Sequence, residues 1–176
     1  MTEFTEAGIA LQRKRGISRY RPAVIVIAPL LAILFKVYVP QLIPQLSYLS
    51  LPLLVVVYFA LMRRSQITGV FFGAAVGLIQ DSLSDKPIGM FGIVMTLVGY
   101  FAASVSLRFD VRNIVIRFIL GFFFFFFHEF FYWMMARALL GQAVDFNAQQ
   151  TLILGLLNAA VAIPLFLMLD KLRVTE

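Results

Sequence analysis

The sequence contains no cysteine and only one histidine among its 176 residues. Without cysteine the chain can form neither disulfide bonds nor thiolate metal sites, and a single histidine argues against a metal site built from several imidazoles. Charged residues are also scarce, at 14% of the chain, against roughly 25% in soluble proteins. We therefore expect no bound metal and no cofactor.

Sequence motifs of enzymes are also missing. The chain has no glycine-rich phosphate loop, no His-x-x-x-His pair and no Gly-x-Ser-x-Gly elbow. The polar segments between its apolar stretches are too short to build a catalytic domain. The sequence therefore predicts a protein that is not an enzyme.

Apolar residues are abundant instead. They make up 61% of the chain, against about 45–50% in soluble domains, and the mean hydropathy is +0.92. The net charge of +6 is divided among short basic clusters that separate apolar runs. Such clusters orient a membrane protein rather than form a surface for nucleic acid. We expect an all-α membrane protein with no nucleic-acid partner.

Six apolar stretches approach the roughly 20 residues that a membrane-spanning helix needs. They cover about 22–39, 46–62, 67–83, 88–107, 113–140 and 151–169. The second is short and the fifth is the longest. The predicted organisation is a basic tail at 1–21, which does not resemble a cleavable signal peptide, a six-helix transmembrane domain at 22–170 that forms one compact bundle, and a short tail at 171–176.

Lysine and arginine divide unevenly between the two sides of this six-span arrangement. Twelve of the 15 lie on the side of the termini, and only Lys36, Lys86 and Arg137 lie on the other. Because cytoplasmic loops are enriched in basic residues, we expect both termini in the cytoplasm. Arg63, Arg64, Arg108 and Arg112 then either contact anionic lipid headgroups or act only as topology signals; the second interpretation is the one we favour.

The third stretch carries glycines at every fourth position, Gly69, Gly73 and Gly77, and Asp81 continues the series. This spacing keeps small residues on one helix face, where a second helix can approach closely. The face packs either against another span of the same chain, which we favour, or against a partner's helix. Asp81 either caps the following turn, with Lys86 as a candidate ion partner, or makes a buried contact that fixes the outer loop or a partner.

The fourth stretch opens with Pro87 and Gly89 and continues with Gly92 and Gly99. Proline is suited to a helix start because its missing N–H would be unpaired there. Gly92 and Gly99 lie on nearly the same face. The third and fourth spans are therefore predicted to form a tight hairpin.

Polar residues in the last two stretches are further candidates. His128 and Glu129 lie within the fifth, and intramembrane ionisable groups are functional candidates by default. We favour a structural ion pair or hydrogen bond between spans, with a proton relay or a substrate contact as the alternative. Asn158 in the sixth is expected to make an interhelical hydrogen bond, whereas Asp170, beside Lys171, is expected to be solvated.

Three segments together resemble a known family. They are GAAVGLIQDSL at 73–83, PIGMFG at 87–92 and LVGY at 97–100. This pattern resembles the bacterial rod shape-determining protein MreD family. The size of the chain and its number of predicted spans also fit that family over nearly the whole chain. The resemblance implies a non-enzymatic scaffold of cell-wall elongation in the inner membrane. Its implied partners are MreC and, less directly, a class B penicillin-binding protein, RodA and the MreB filament.

The family is also similar in architecture to the S components of energy-coupling-factor vitamin transporters. That similarity provides an alternative function, substrate binding for transport. It predicts an outward-facing pocket with His128, Glu129 and Asn158 as candidate lining residues.

Overall fold

A computed structural model of the chain describes residues 21–84, 87–141 and 145–173. Within these ranges it contains six α-helices and one 3-10 helix. The helices are α1 (Pro22–Leu42), the 3-10 helix (Pro44–Tyr48), α2 (Leu51–Arg63), α3 (Gln66–Ser82), α4 (Met90–Ser106), α5 (Ile114–Leu140) and α6 (Ala148–Lys171). The predicted basic tail up to residue 20, Lys86 and residues 174–176 lie outside the described residues.

Four segments of the described chain are long and apolar enough to cross a membrane. They are Pro22–Leu42, Pro44–Arg63, Ile114–Leu140 and Ala148–Lys171. Helices α3 and α4 have 17 residues each. At about 1.5 Å per residue each is about 25 Å long, short of the roughly 30 Å hydrocarbon core. An all-helical membrane protein is thus supported, while six spans and the side of each terminus stay predictions.

Polar side chains and special backbone conformations define several helix ends. The Ser65 side chain accepts a hydrogen bond from the Thr68 N–H at the start of α3. The side chains of Asn113 and Asn147 cap α5 and α6 in the same way. Gly141, with a φ of 60°, follows the last residue of α5, because glycine adopts this left-handed conformation without steric cost.

Helix α2 forms the centre of the bundle. Every residue from Pro52 to Met62 is buried, and α2 contacts each of the other five helices. The predicted continuous span at 46–62 is divided, because the 3-10 helix ends at Tyr48 and Ser50 has a non-helical backbone. A helix that is apolar on all sides is enclosed either by lipid or by protein; here it is enclosed by protein.

The six helices alternate in direction. The starts of α1, α3 and α5 and the ends of α2, α4 and α6 therefore lie at the same end of the bundle. At this end the Gln66 Nε2 donates to the Ser104 Oγ at 2.8 Å, joining α3 to α4. Ile25, Arg63 and Thr68, from the first three helices, line one small cavity there. We call this end the basic end, because it carries Arg63, Arg64, Arg108 and Arg112.

Candidate functional site

The glycines of α3 lie against α4 of the same chain. A Cβ atom added to Gly69, Gly73 or Gly77 would lie 2.3, 2.2 or 2.5 Å from a backbone carbonyl oxygen of α4. A Cβ added to Gly99 of α4 would in turn lie 2.1 Å from the Gly69 carbonyl oxygen. Side chains larger than hydrogen therefore cannot fit, and the closely packed backbones leave no room for a partner's helix at this face. We call these four residues the glycine interface.

Asp81 lies at the end of α3 with only 1% of its surface exposed. Its Oδ2 accepts hydrogen bonds from the N–H groups of Gly89 and Gly92 at 3.0 and 2.8 Å, and its Oδ1 accepts one from Phe91 at 3.0 Å. The first N–H groups of a helix have no partner within the helix, and negative charge is favourable there. The carboxylate thus caps α4 from a different helix.

The turn before α4 differs from the predicted one. Pro87 and Gly89 were expected to open the fourth helix, at about residue 88, but α4 begins at Met90. Gly89 has a φ of +96°, which is accessible to glycine and strained for other residues. Gly92 also lies close to α3, since a Cβ there would be 2.9 Å from the Leu78 side chain. Glycines therefore determine both the turn and the contact that follows it.

Asn158 is fully buried in α6 and makes three hydrogen bonds. Its Oδ1 accepts from the Ser50 N–H at 2.8 Å. Its Nδ2 donates to the carbonyl oxygens of Tyr48 and Leu154, both at 2.9 Å. Asn158 thus fixes the junction between the 3-10 helix and α2.

A cavity of about 220 Å³ lies at the end of the bundle opposite the basic end. We call it the polar cavity. Its polar lining residues come from four different segments: Lys36, Ser50, Gln80, His128, Glu129 and Tyr132. The apolar side chains of Pro52, Leu53, Phe91 and Met95 complete it. Asn158, which the transporter hypothesis also predicted as a lining residue, does not line this cavity.

His128 and Glu129 share the polar cavity although adjacent helical residues point about 100° apart. The Nδ1 of His128 lies 3.1 Å from the Oε1 of Glu129, at hydrogen-bonding distance. The imidazole is stacked beside Phe91, with ring centroids 6.0 Å apart, and beside Tyr132 at 6.3 Å. The histidine ring therefore contacts a carboxylate and two aromatic rings, which also stack on each other with centroids 5.1 Å apart.

Lys36 and Gln80 also belong to the polar cavity, where they lie with His128 and Glu129. The Lys36 Nζ donates to the carbonyl oxygens of Ser47 and of Leu49, the latter at 3.0 Å. This lysine therefore binds the carbonyl groups that flank the end of the 3-10 helix. Gln80 is 6% exposed.

An ion pair near the basic end was missed by sequence reasoning. The Arg117 Nη1 contacts the Asp170 Oδ2 at 2.6 Å. The Nε of the same arginine donates to the Val111 carbonyl oxygen at 2.8 Å. The Tyr58 hydroxyl donates to the Asp170 Oδ1 at 2.7 Å. The expectation that Asp170 is simply solvated was wrong, because α5 and the central helix each supply it with a donor. The sequence signal for this ion pair is Arg117, which lies about one helical turn inside an apolar stretch.

The four arginines of the basic end differ in exposure. Arg63 and Arg64 are half-buried, whereas Arg108 and Arg112 are exposed. Arg64 has a φ of 51° and directly follows the last residue of α2. No cluster of three or more potential metal ligands occurs among residues 21–84, 87–141 and 145–173.

A family model described as rod shape-determining protein MreD matches residues 18–174. The chain belongs to the MreD family. The resemblance identified from the glycine-rich segments is thereby confirmed, over nearly the whole chain. No curated protein and no solved structure gave a significant match. Membership of the MreD family, together with the apolar helices, indicates a membrane protein of rod-shape determination. The family consists of shape-determining proteins and is not a known enzyme family.

Proposed function

We propose that this MreD-family chain is a non-enzymatic scaffold of the cell-wall elongation machinery in the bacterial inner membrane. In this proposal it has six spans, both termini are cytoplasmic, and it binds MreC. Through MreC it influences a class B penicillin-binding protein, RodA and, indirectly, the MreB filament. The observation that carries the proposal is the family match to residues 18–174.

The packing of the helices favours one surface for the MreC transmembrane helix. The glycine interface is already filled by α4, so a partner must bind elsewhere. An apolar groove of about 320 Å³ runs between α1 and α6, with α2 at its base. Its lining includes Ala28 and Leu31 of α1 and Leu165 and Met168 of α6. Close packing of apolar side chains drives helix association in lipid, and this groove offers such packing.

The basic end has a role in the same proposal. Arg63, Arg64, Arg108 and Arg112 would contact anionic headgroups of the cytoplasmic leaflet, where each basic residue near the surface contributes about 1 kcal/mol. The alternative, which we favour, is that these residues only determine topology.

A second candidate function is substrate binding as an S component of an energy-coupling-factor vitamin transporter. The observation that favours it is the polar cavity, which His128 and Glu129 line. An S component also needs a docking surface for its coupling subunit, which the same α1–α6 groove could provide.

One experiment separates the two functions. The tagged full-length chain is purified gently from native membranes, and the proteins that accompany it are identified by mass spectrometry. Recovery of MreC and a penicillin-binding protein supports the scaffold. Recovery of an ATPase module without MreC contradicts the scaffold and supports the transporter subunit.

A further inference from the structure

The polar cavity contains opposite charges that do not neutralise each other directly. Lys36 comes from α1 and Glu129 from α5, and both line the cavity. Among the described residues Lys36 forms no ion pair with Glu129: Arg117 pairs with Asp170, and the Glu129 carboxylate contacts His128 instead. Separated charges of opposite sign around one cavity are complementary to a molecule that carries both signs.

Both charged groups retain hydrogen-bonding capacity. An ammonium group has three N–H donors, and Lys36 uses two of them on the carbonyl oxygens of Ser47 and Leu49. Those contacts hold the ammonium in position and leave one donor. The Glu129 Oε1 lies near His128, whereas its Oε2 has no hydrogen bond to any residue that the structure describes. The carboxylate side chain is 38% exposed, so an outside group can approach it.

Two buried polar atoms of the lining have no partner among the described residues. They are the Oε1 of Gln80 and the Nε2 of His128, and these residues are 6% and 4% exposed. Buried polar atoms are almost always hydrogen-bonded, and leaving one unpaired is destabilising. The unpaired atoms belong to two different helices that meet at this cavity, so an occupant with hydrogen-bonding groups would satisfy them.

The lining also indicates the chemistry of that occupant. When the Nδ1–H of His128 donates to Glu129, its Nε2 becomes an acceptor. The Glu129 carboxylate, the Gln80 Oε1 and the His128 Nε2 then provide three acceptors, which matches the three donors of an ammonium group. The remaining donor of Lys36 is available to an anion. One water needs only about 10–15 Å³ of cavity volume, so a cavity of about 220 Å³ has room for a group of several heavy atoms.

We propose that the polar cavity binds a small zwitterion in which an ammonium group is joined through a few atoms to a phosphate. The ammonium group contacts Glu129, Gln80 and His128, and the phosphate contacts Lys36. Two sources share this chemistry: the headgroup of a zwitterionic phospholipid and a free phosphoethanolamine-like molecule. This inference does not depend on the scaffold function, because it concerns residues away from the α1–α6 groove.

Binding of soluble probes to the purified full-length protein tests the proposed chemistry. Phosphoethanolamine, ethanolamine and inorganic phosphate are titrated separately, and affinity is measured by calorimetry. Phosphoethanolamine is expected to bind at least about tenfold more tightly than ethanolamine or phosphate, each of which carries charge of one sign only, since each added charge-assisted hydrogen bond is worth roughly tenfold or more. This comparison uses the wild-type protein, so it remains decisive even if a cavity variant does not fold.

Variants assign the binding to the cavity. Glu129→Gln and Lys36→Met are each expected to weaken zwitterion binding by about tenfold. Asp145→Asn and Lys171→Met are matched controls that remove the same charges at exposed positions outside the cavity, and they should bind like the wild type.

A lipid arm distinguishes the two sources. The protein is incubated with phosphatidylethanolamine or phosphatidylglycerol and examined by native mass spectrometry. Selective retention of phosphatidylethanolamine, lost in Glu129→Gln, assigns the site to a lipid headgroup; binding of phosphoethanolamine without lipid retention assigns it to a soluble molecule. The proposal is overturned if phosphoethanolamine binds no better than ethanolamine or phosphate and phosphatidylethanolamine is retained no better than phosphatidylglycerol. It is also overturned if the cavity variants bind like the wild type. Such a result would leave water as the occupant.

Discussion

The carboxylate of Asp81 accepts a hydrogen bond from the backbone N–H of Gly92 at 2.8 Å, so that the last turn of α3 caps the first turn of α4. The same carboxylate binds the N–H groups of Gly89 and Phe91. A single side chain thus satisfies three backbone donors at the start of α4, which lie eight, ten and eleven residues further along the chain. This contact and the glycine interface together hold α3 and α4 as a hairpin.

Removing the Asp81 carboxylate should therefore destabilise the fold. Asp81→Ala leaves three N–H groups without their acceptor and is expected to reduce stability by about 2–3 kcal/mol. Asp81→Asn retains one acceptor oxygen and should be intermediate. The measurement is the thermal unfolding midpoint of the purified protein in detergent. Ser82→Ala is the control, because the exposed Ser82 bonds only to its own helix; equal midpoints for Asp81→Ala and Ser82→Ala would contradict the capping role.

A substitution in the glycine interface should be more damaging than one beside it. Gly73→Leu introduces a Cβ that would lie 2.2 Å from the Met95 carbonyl oxygen, so α3 and α4 must separate. We expect loss of the monodisperse peak in size-exclusion chromatography. Ala75→Leu places the same side chain at an exposed position of α3 and should leave the peak unchanged. A normal peak for Gly73→Leu would mean that the close approach of the two helices is not required.

The pair of Arg117 and Asp170 should show strong coupling. Arg117 is 4% exposed, so Asp170→Leu leaves a buried charge unpaired and is expected to cost roughly 3–5 kcal/mol. The double variant Arg117→Met with Asp170→Leu should recover part of this loss, because no unpaired charge remains. Thermal unfolding of the two single variants and the double variant measures the coupling. Additive losses would show that the ion pair is not an energetic unit.

Membrane topology provides a test that does not depend on packing. With six spans and cytoplasmic termini, a reporter fused after Lys86 lies outside the cytoplasm and one fused after Arg108 lies inside. An alkaline phosphatase fusion should therefore be active only at Lys86, and a green fluorescent protein fusion should fluoresce only at Arg108. Identical behaviour at both sites would mean that α4 does not cross the membrane, in keeping with its length of 17 residues.

The sequence predicted the positions of the helices well, because basic or turn-forming residues separate the apolar stretches. It also predicted close backbone approach, because glycines at every fourth position leave one face of α3 without side chains. Contacts between residues that are distant in the sequence could not be predicted from it. The central position of α2 could not be inferred, since an apolar helix is equally compatible with surrounding lipid. Lys36 and His128 are separated by more than ninety residues, and only the folded bundle brings them to one cavity.

Tyr58 and Asp170 illustrate the same limit. A tyrosine within an apolar run and an aspartate beside a lysine each have an ordinary local explanation. Their hydrogen bond at 2.7 Å depends on how α2 and α6 pack, and spacing along the chain carries no information on that arrangement.

Capture of MreC tests the central claim, that this chain is a membrane scaffold with a groove between α1 and α6 for its partner. MreC recovery is compared for the wild type, Leu31→Trp and Leu156→Trp. Leu31 lines the groove and is 61% exposed, whereas Leu156 is 52% exposed on α6 and is not part of the lining.

We predict that the wild type and Leu156→Trp recover equal amounts of MreC, and that Leu31→Trp recovers at least about tenfold less because the indole fills the groove. Equal recovery by all three proteins would contradict the groove as the docking surface. Absence of MreC from the wild-type sample would contradict the scaffold itself.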